Sequence, residues 1–123
     1  MTKKIKLMIV DDSKTMRLTI AKIAKYIPGL EISGEASNGK DALEIYKEVM
    51  PDVVTMDLTM PQMNGVDTIE NIIAMDENAK ILVISSLNDL NTALRAIEAG
   101  ALGFLHKPFS PDELSNKIKE ILF

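Results

Sequence analysis

The sequence of 123 residues contains no cysteine and a single histidine, His106. Without cysteine the chain cannot form disulfides, use a thiolate in catalysis or build a cysteine-based zinc site. This absence is compatible with a reducing environment, and we expect a cytoplasmic protein. We expect a surface or packing role for the lone histidine rather than a catalytic one.

The sequence also lacks an excess of basic residues and a long apolar run. It carries 14 lysines and arginines against 18 acidic residues, a formal net charge of −4. Nucleic-acid-binding surfaces usually need a basic stripe, so we expect no direct nucleic-acid binding. No apolar run approaches the roughly 18 residues of a membrane span, and the short run before Asp11 does not fit a signal peptide. The length and the absence of a linker predict one domain, residues 1–123.

Short apolar runs alternate with segments of helical periodicity. Three runs are apolar on both faces, which favours strands of a parallel sheet covered on both sides: 7–10, 53–56 and 81–84. Weaker strand candidates are 31–35 and 102–106. The apolar stripes with helical spacing are Met16, Ile20, Ile23, Ala24 and Ile27; Ala42, Leu43, Tyr46 and Val49; Val66, Ile69, Ile72 and Ile73; Ala93, Leu94 and Ile97; and Leu114, Ile118, Ile121 and Leu122.

Turn and capping residues separate these segments. Pro28-Gly29 is expected to end the first helix and Gly100 the fourth. Ser110 can cap the last helix, and Asn38-Gly39 and Asn64-Gly65 are expected to form turns. The resulting order repeats strand and helix five times, which predicts an α/β fold with a parallel sheet and helices on both faces.

Polar residues follow four of the five predicted strands directly. Asp11 and Asp12 follow the first strand, Asp57 the third, Ser85 and Ser86 the fourth, and Lys107 the fifth. Ligands of open α/β sheets bind outside the carboxyl ends of the strands, where these groups converge. Three carboxylates in one cleft require a cation, and oxygen ligands favour Mg²⁺.

The segments IVDDS, DVVTMDLTMPQMNG, ILVISS and AGALGFLHKPF, with their spacing, identify a family. Over essentially all 123 residues the chain resembles the CheY-like receiver domain of bacterial two-component response regulators. The resemblance implies a doubly wound, flavodoxin-like (βα)5 fold with five parallel strands in the order 2-1-3-4-5.

The resemblance also implies the roles of the site residues. Asp57 is expected to be the phosphoacceptor. Asp12, Asp57 and the backbone carbonyl of Thr59 are expected to bind Mg²⁺, for which Mn²⁺ can substitute, with Asp11 holding the metal directly or through water. Lys107 is expected to contact Asp57 and then the phosphoryl oxygens, and its peptide bond to Pro108 is expected to be cis.

Two further residues occupy the switch positions of the family. Ser85 stands where these domains have a switch Thr or Ser, and Phe104 stands where they have a switch aromatic residue. Three positions depart from the chemotaxis members of the family. Ser86 replaces Ala or Gly, while Leu87 and Thr59 replace polar side chains that help to place the hydrolytic water. We therefore expect slow dephosphorylation.

The resemblance implies a signalling switch rather than an enzyme. A histidine kinase is expected to supply the phosphoryl group, and the surface of the fourth helix, fifth strand and fifth helix is expected to bind a downstream target. The expected target is the flagellar motor or another regulator, and the protein is expected to be a monomer, or a dimer on phosphorylation. The chain is either a one-domain protein or the receiver of a larger DNA-binding or enzymatic regulator.

Two other classes are disfavoured by the same residues. Mg²⁺-dependent phosphatases with a nucleophilic Asp usually carry a second acid two residues later, where this chain has Thr59. A pseudo-receiver that binds partners without phosphorylation does not need the intact set of Asp11, Asp12, Asp57 and Lys107.

Overall fold

Five strands alternate with five helices in the computed structural model, which describes residues 4–60, 63–87 and 89–123. The strands are β1 (Ile5–Val10), β2 (Leu30–Ala36), β3 (Val53–Met56), β4 (Ile81–Ser85) and β5 (Gly103–His106). The helices are α1 (Lys14–Ala24), α2 (Gly39–Val49), α3 (Gly65–Met75), α4 (Leu90–Ala99) and α5 (Pro111–Leu122). Within these ranges, no helix has the length and apolar character needed to cross a membrane.

All strand pairs are parallel, and the strands lie in the order β2-β1-β3-β4-β5. This arrangement confirms the predicted doubly wound fold. β1 lies near the middle of the sheet, and the chain reverses its direction of winding there. The carboxyl ends of β1 and β3 are therefore neighbours, which brings the residues that follow them to one edge.

The sheet buries apolar side chains on both faces. Met8 and Val10 of β1 pack in a cluster with buried residues of α2, α3 and α4. Leu7 and Ile9 point to the opposite face and pack with residues of α1 and α5. Strands that are buried on both sides cannot alternate apolar with polar residues, which explains their continuous apolar runs.

The two Asn-Gly pairs begin helices and do not form separate turns, which corrects the sequence-based expectation. Asn38 and Asn64 cap α2 and α3 by accepting a hydrogen bond from the backbone N–H three residues later. Gly39 and Gly65 are the first helical residues. An Asn side chain satisfies a helix N-terminus as well as it forms a turn, so the dipeptide alone does not distinguish the two.

The ends of the other helices agree with the sequence except in α1. Ser110 forms the predicted capping box with Glu113, and Gly100 ends α4 with φ of 125°. α1 ends at Ala24, several residues before Pro28. Ile27 is nevertheless buried, because the turn after α1 directs its side chain into the same cluster.

Most of the apolar stripe of α4 faces outward, although such stripes usually pack against the core. Leu90, Leu94 and Ile97 are 72%, 50% and 45% exposed. Ala96 of the same helix is fully buried against the sheet. The small alanine side of α4 faces the core, so the larger side chains form an apolar surface.

Candidate functional site

Backbone hydrogen bonds extend the sheet as far as the acidic residues. The N–H of Asp11 donates to the carbonyl of Ala36 at 3.0 Å, and the N–H of Asp57 donates to the carbonyl of Val10 at 2.9 Å. Asp11 and Asp57 are buried, whereas Asp12 is exposed. Each of these three residues contributes a carboxylate oxygen, and the three oxygens lie within 4.8 Å of one another.

Lys107 places its ammonium group between two of the carboxylates. Its Nζ lies 2.9 Å from Oδ2 of Asp11 and 3.9 Å from Oδ1 of Asp57. The backbone N–H of Lys107 donates to the carbonyl of Ser85 at 2.8 Å, which attaches the lysine to the end of β4. The peptide bond between Lys107 and Pro108 is cis, which confirms the expectation from the sequence.

Asp11 is held by two contacts that the sequence reasoning missed. Its Oδ1 accepts a hydrogen bond from the N–H of Ser13 at 2.9 Å. Its backbone carbonyl accepts a hydrogen bond from Nη1 of Arg17 at 2.7 Å, and Nε of Arg17 lies 3.3 Å from Oε1 of Glu35. Long side chains on helices point back toward the N-terminus, which lets Arg17, the fourth residue of α1, reach the carbonyl of Asp11.

The surroundings of Asp57 change the pKa of its carboxyl group. Burial raises the pKa of its carboxyl group to about 6, and the charge of Asp11 adds to this effect. Lys107 and the N–H of Thr59, which donates to Oδ1 at 3.3 Å, act in the opposite direction. Because Lys107 lies closer to Asp11, Asp57 is the less compensated of the two buried carboxylates.

The first turn of α3 packs directly against the backbone of Asp57. A Cβ atom on Gly65 would meet the carbonyl oxygen of Asp57 and would lie 2.5 Å from Cα of Leu58. The N–H of Gly65 donates to the carbonyl of Leu58 at 2.9 Å. Only glycine fits this close approach, which fixes the chain on the carboxyl side of Asp57.

The expected switch residues lie on the side of the site nearest β4 and β5. Ser85 is buried, and its Oγ accepts a hydrogen bond from the N–H of Leu87 at 3.0 Å. Phe104 is partly exposed in a groove beside α4. This α4–β5 groove is lined by Leu87, Asp89, Leu90, Ala93, Phe104 and His106. His106 is exposed, in agreement with the surface role expected for it.

The donor atoms of the site suit a hard divalent cation. Asp11, Asp12 and Asp57 supply only oxygen ligands, with no thiolate or imidazole among them. Mg²⁺ prefers such ligands and usually combines one or two carboxylates with water and phosphate oxygens. Separations within 4.8 Å require only small side-chain movements to converge on one ion. The residues present therefore fit Mg²⁺.

The fold and this set of side chains define a class of phosphoryl-accepting signalling domains with an acidic Mg²⁺ pocket. A sequence model of the response regulator receiver domain matches residues 7–119, and the chain belongs to that family. It is 44% identical to the chemotaxis protein CheY of Thermotoga maritima over 116 residues, which cover 94% of this chain and 96% of that protein.

Two further similarities extend this comparison. The chain is 38% identical to a protein-glutamate methylesterase/protein-glutamine glutaminase of Halalkalibacterium halodurans, covering 99% of this chain and 36% of that protein. Its structure resembles CheY in a CheX–CheY–BeF₃–Mg²⁺ complex from Borrelia burgdorferi, with a TM-score of 0.94 and 28% identity over 98% of this chain and 91% of that one. The protein is thus a phosphoacceptor signalling switch and does not belong to a family of catalytic enzymes.

The raised pKa of Asp57 predicts that the folding stability of the metal-free protein depends on pH. The folded state holds the proton up to about pH 6, whereas the unfolded state loses it near pH 3.8. Stability therefore falls as the pH rises through this window. Asp57→Asn should stabilise the protein in EDTA at pH 7 by on the order of 3 kcal/mol, and this gain should disappear near pH 4.

Urea unfolding of both proteins at pH 4 and pH 7 provides the measurement. Glu44→Gln, which removes an exposed carboxylate of α2, is the control and should change little at either pH. An equal gain for Asp57→Asn at both values would show that packing, and not ionisation, causes the difference.

Proposed function

We propose that Asp57 accepts the phosphoryl group and that the chain works as a Mg²⁺-dependent receiver in a two-component system. One observation carries this assignment: the buried carboxylate of Asp57 lies within 4.8 Å of two further carboxylates and 3.9 Å from the ammonium group of Lys107. A histidine kinase is the proposed donor. Residues 1–123 form one receiver domain that acts in the cytoplasm, as a monomer or as a dimer on phosphorylation.

The proposed metal ligands are Asp12, Asp57 and the backbone carbonyl of Thr59. Mg²⁺, or Mn²⁺ in its place, supplies positive charge to the transferring phosphoryl oxygens when it is bound. Both oxygens of Asp11 already have partners, since Oδ1 accepts from Ser13 and Oδ2 from Lys107. This supports a role for Asp11 through a metal-bound water molecule more than through direct coordination.

In the proposed transfer, an oxygen of Asp57 attacks phosphorus as the bond to the donor imidazole nitrogen breaks. The electron pair of that bond leaves with the imidazole. Charge spreads over the three equatorial oxygens, so fixed positive charge lowers the barrier. Lys107 is near enough to Asp57 to exchange its contact with Asp11 for one with a phosphoryl oxygen. Its limited exposure strengthens that interaction relative to one in bulk water.

The assignment of the acceptor predicts a single phosphorylation event. Incubation with acetyl phosphate and Mg²⁺ should add one phosphoryl group, and Asp57→Asn should add none because an amide is a poor nucleophile. Intact mass spectrometry measures both. Asp89→Asn, which keeps a capping side chain on α4, is the matched control and should be phosphorylated normally. Equal incorporation in the wild type and Asp57→Asn would show that another residue is the acceptor.

We further propose that phosphorylation changes the surface of α4, β5 and α5, which binds the downstream target. The apolar side chains of α4 are exposed there, and such patches on soluble domains commonly mark interaction sites. Ser85 would move its hydroxyl group to a phosphoryl oxygen and so release the N–H of Leu87. Phe104, in the same α4–β5 groove as Leu87, would then turn inward.

This coupling predicts that fluoroberyllate, a phosphoryl analogue, added with Mg²⁺ changes the site and the α4–β5 groove but not the opposite end of the sheet. Amide NMR shifts should change at Ser85, Leu87, Leu90 and Phe104, and little at Lys80 at the opposite edge of the sheet. Ser85→Ala should still bind the analogue but lose the changes at Leu90 and Phe104. If those changes persist in Ser85→Ala, the serine hydroxyl does not link the site to the groove.

The side chains of Thr59 and Leu87 predict a long-lived phosphoryl group. Hydrolysis requires a water molecule held in line behind phosphorus, and Leu87 offers no side-chain donor or acceptor to hold it. Thr59 has only a short hydroxyl side chain. Because correct positioning of such groups contributes about 10²–10⁴-fold to rates, Leu87→Glu combined with Thr59→Asn should accelerate dephosphorylation measurably. A phosphoryl decay time course compares this double variant with the wild type. Equal decay rates would exclude water placement by these positions as the determinant.

Two kinds of regulator remain as candidates for the biological setting. The similarity to a chemotaxis CheY over 96% of its length supports a one-domain regulator, whose target is the flagellar motor or another regulator. The similarity to 36% of a methylesterase supports a receiver within a larger regulator. The full reading frame distinguishes the two, and pull-down of the phosphorylated protein against purified motor and regulator candidates from the same organism identifies the target.

A further inference from the structure

We infer that Arg17 is a positioning residue for the proposed metal site and that it acts by fixing the peptide unit between Asp11 and Asp12. The inference rests on the proposed Mg²⁺ ligands. Arg17 itself contacts neither a metal ligand oxygen nor Asp57 among the described hydrogen bonds; its Nη1 donates to the backbone carbonyl of Asp11 at 2.7 Å.

The carbonyl of Asp11 lies where its contact with Arg17 can fix the position of Asp12. The carbonyl of Asp11 belongs to the peptide plane from which Asp12 extends, so its rotation moves the carboxylate of Asp12. On the amino side of the same residue, the N–H of Asp11 is bonded to Ala36 of β2. β1 ends at Val10, so regular strand pairing no longer holds the carbonyl of Asp11. Arg17 therefore adds a second contact to the backbone of Asp11, after the bond to Ala36.

Glu35 orients the guanidinium group for this contact. Nε of Arg17 lies 3.3 Å from Oε1 of Glu35, the residue before the last of β2. The side chain of Glu35 is 46% exposed and that of Arg17 only 18%. An ion pair with a half-exposed partner contributes little energy by itself, so the bond to the backbone carbonyl is the more important of the two.

The chemistry of the guanidinium group suits this double contact. Arg presents several N–H donors in a rigid plane and can serve two acceptors at once, and it stays charged at all relevant pH values. Lys has one compact ammonium group on a flexible stem. Replacement of Arg17 by Lys keeps the charge near the acidic cluster but gives up the fixed orientation.

Titration of the full chain with Mg²⁺, followed by amide NMR shifts, tests the inference without any phosphorylation. Groups that orient metal ligands typically contribute about 10–100-fold to metal affinity. We expect Arg17→Met to weaken Mg²⁺ binding about 10-fold and Arg17→Lys to lie between it and the wild type. Glu35→Gln should stay within about threefold of the wild type. Lys22→Met, which removes an exposed positive charge from the same helix, is the charge control and should not change the affinity measurably.

A double-mutant cycle separates positioning from general stability. If Arg17 acts through Asp12, the effect of Arg17→Met should be lost in an Asp12→Asn background, whereas independent effects would add. Wild-type affinity in Arg17→Met, or an undiminished effect in Asp12→Asn, would overturn the inference. Should Arg17→Met not fold, the same two comparisons with Arg17→Lys decide the question. Absence of Mg²⁺ binding to the wild type would instead contradict the proposed metal site itself.

Discussion

The repulsion among Asp11, Asp12 and Asp57 is the constraint on which the site depends. Two of the three carboxylates are buried, and all three place an oxygen within 4.8 Å of the others. At an effective dielectric constant of about 20, two charges at this separation repel by roughly 3 kcal/mol. The fold provides only partial compensation, because Lys107 contacts Asp11 closely and Asp57 at 3.9 Å. The remaining repulsion is a driving force for binding a cation between the carboxylates.

The parallel sheet is what sustains this unfavourable arrangement. The acids follow adjacent central strands, and backbone bonds to Ala36 and Val10 extend the ladder to Asp11 and Asp57. Gly65 lets α3 press against the chain just after Asp57. The packing of two apolar clusters, one on each face of the sheet, thus offsets the repulsion and keeps the carboxylates together. A mobile loop with the same acids would separate them.

The sequence was sufficient to predict the sheet and the convergence of the acids, because both follow from where apolar runs end. It was not sufficient for contacts that depend on three-dimensional direction. Arg17 reads as an ordinary polar residue of α1, although its guanidinium reaches the carbonyl of Asp11. The periodicity of α4 shows that the helix has an apolar face, but it does not show what covers that face. The half-exposed Leu94 is accordingly a surface residue.

The hydrogen bond between Ser85 and Leu87 lies between the acidic site and the apolar surface of α4. In the structure the hydroxyl oxygen of Ser85 accepts from the N–H of Leu87, which also lines the α4–β5 groove. In the proposed switch, a phosphoryl oxygen that attracts the Ser85 hydroxyl group would compete with this contact and would so couple Asp57 to the apolar surface beside α4. A ligand shifts such an equilibrium only by its different affinity for the two states. The proposed switch therefore requires that the bond to Leu87 be weak enough to be exchanged, and a single neutral hydrogen bond, worth about 1 kcal/mol, meets that requirement.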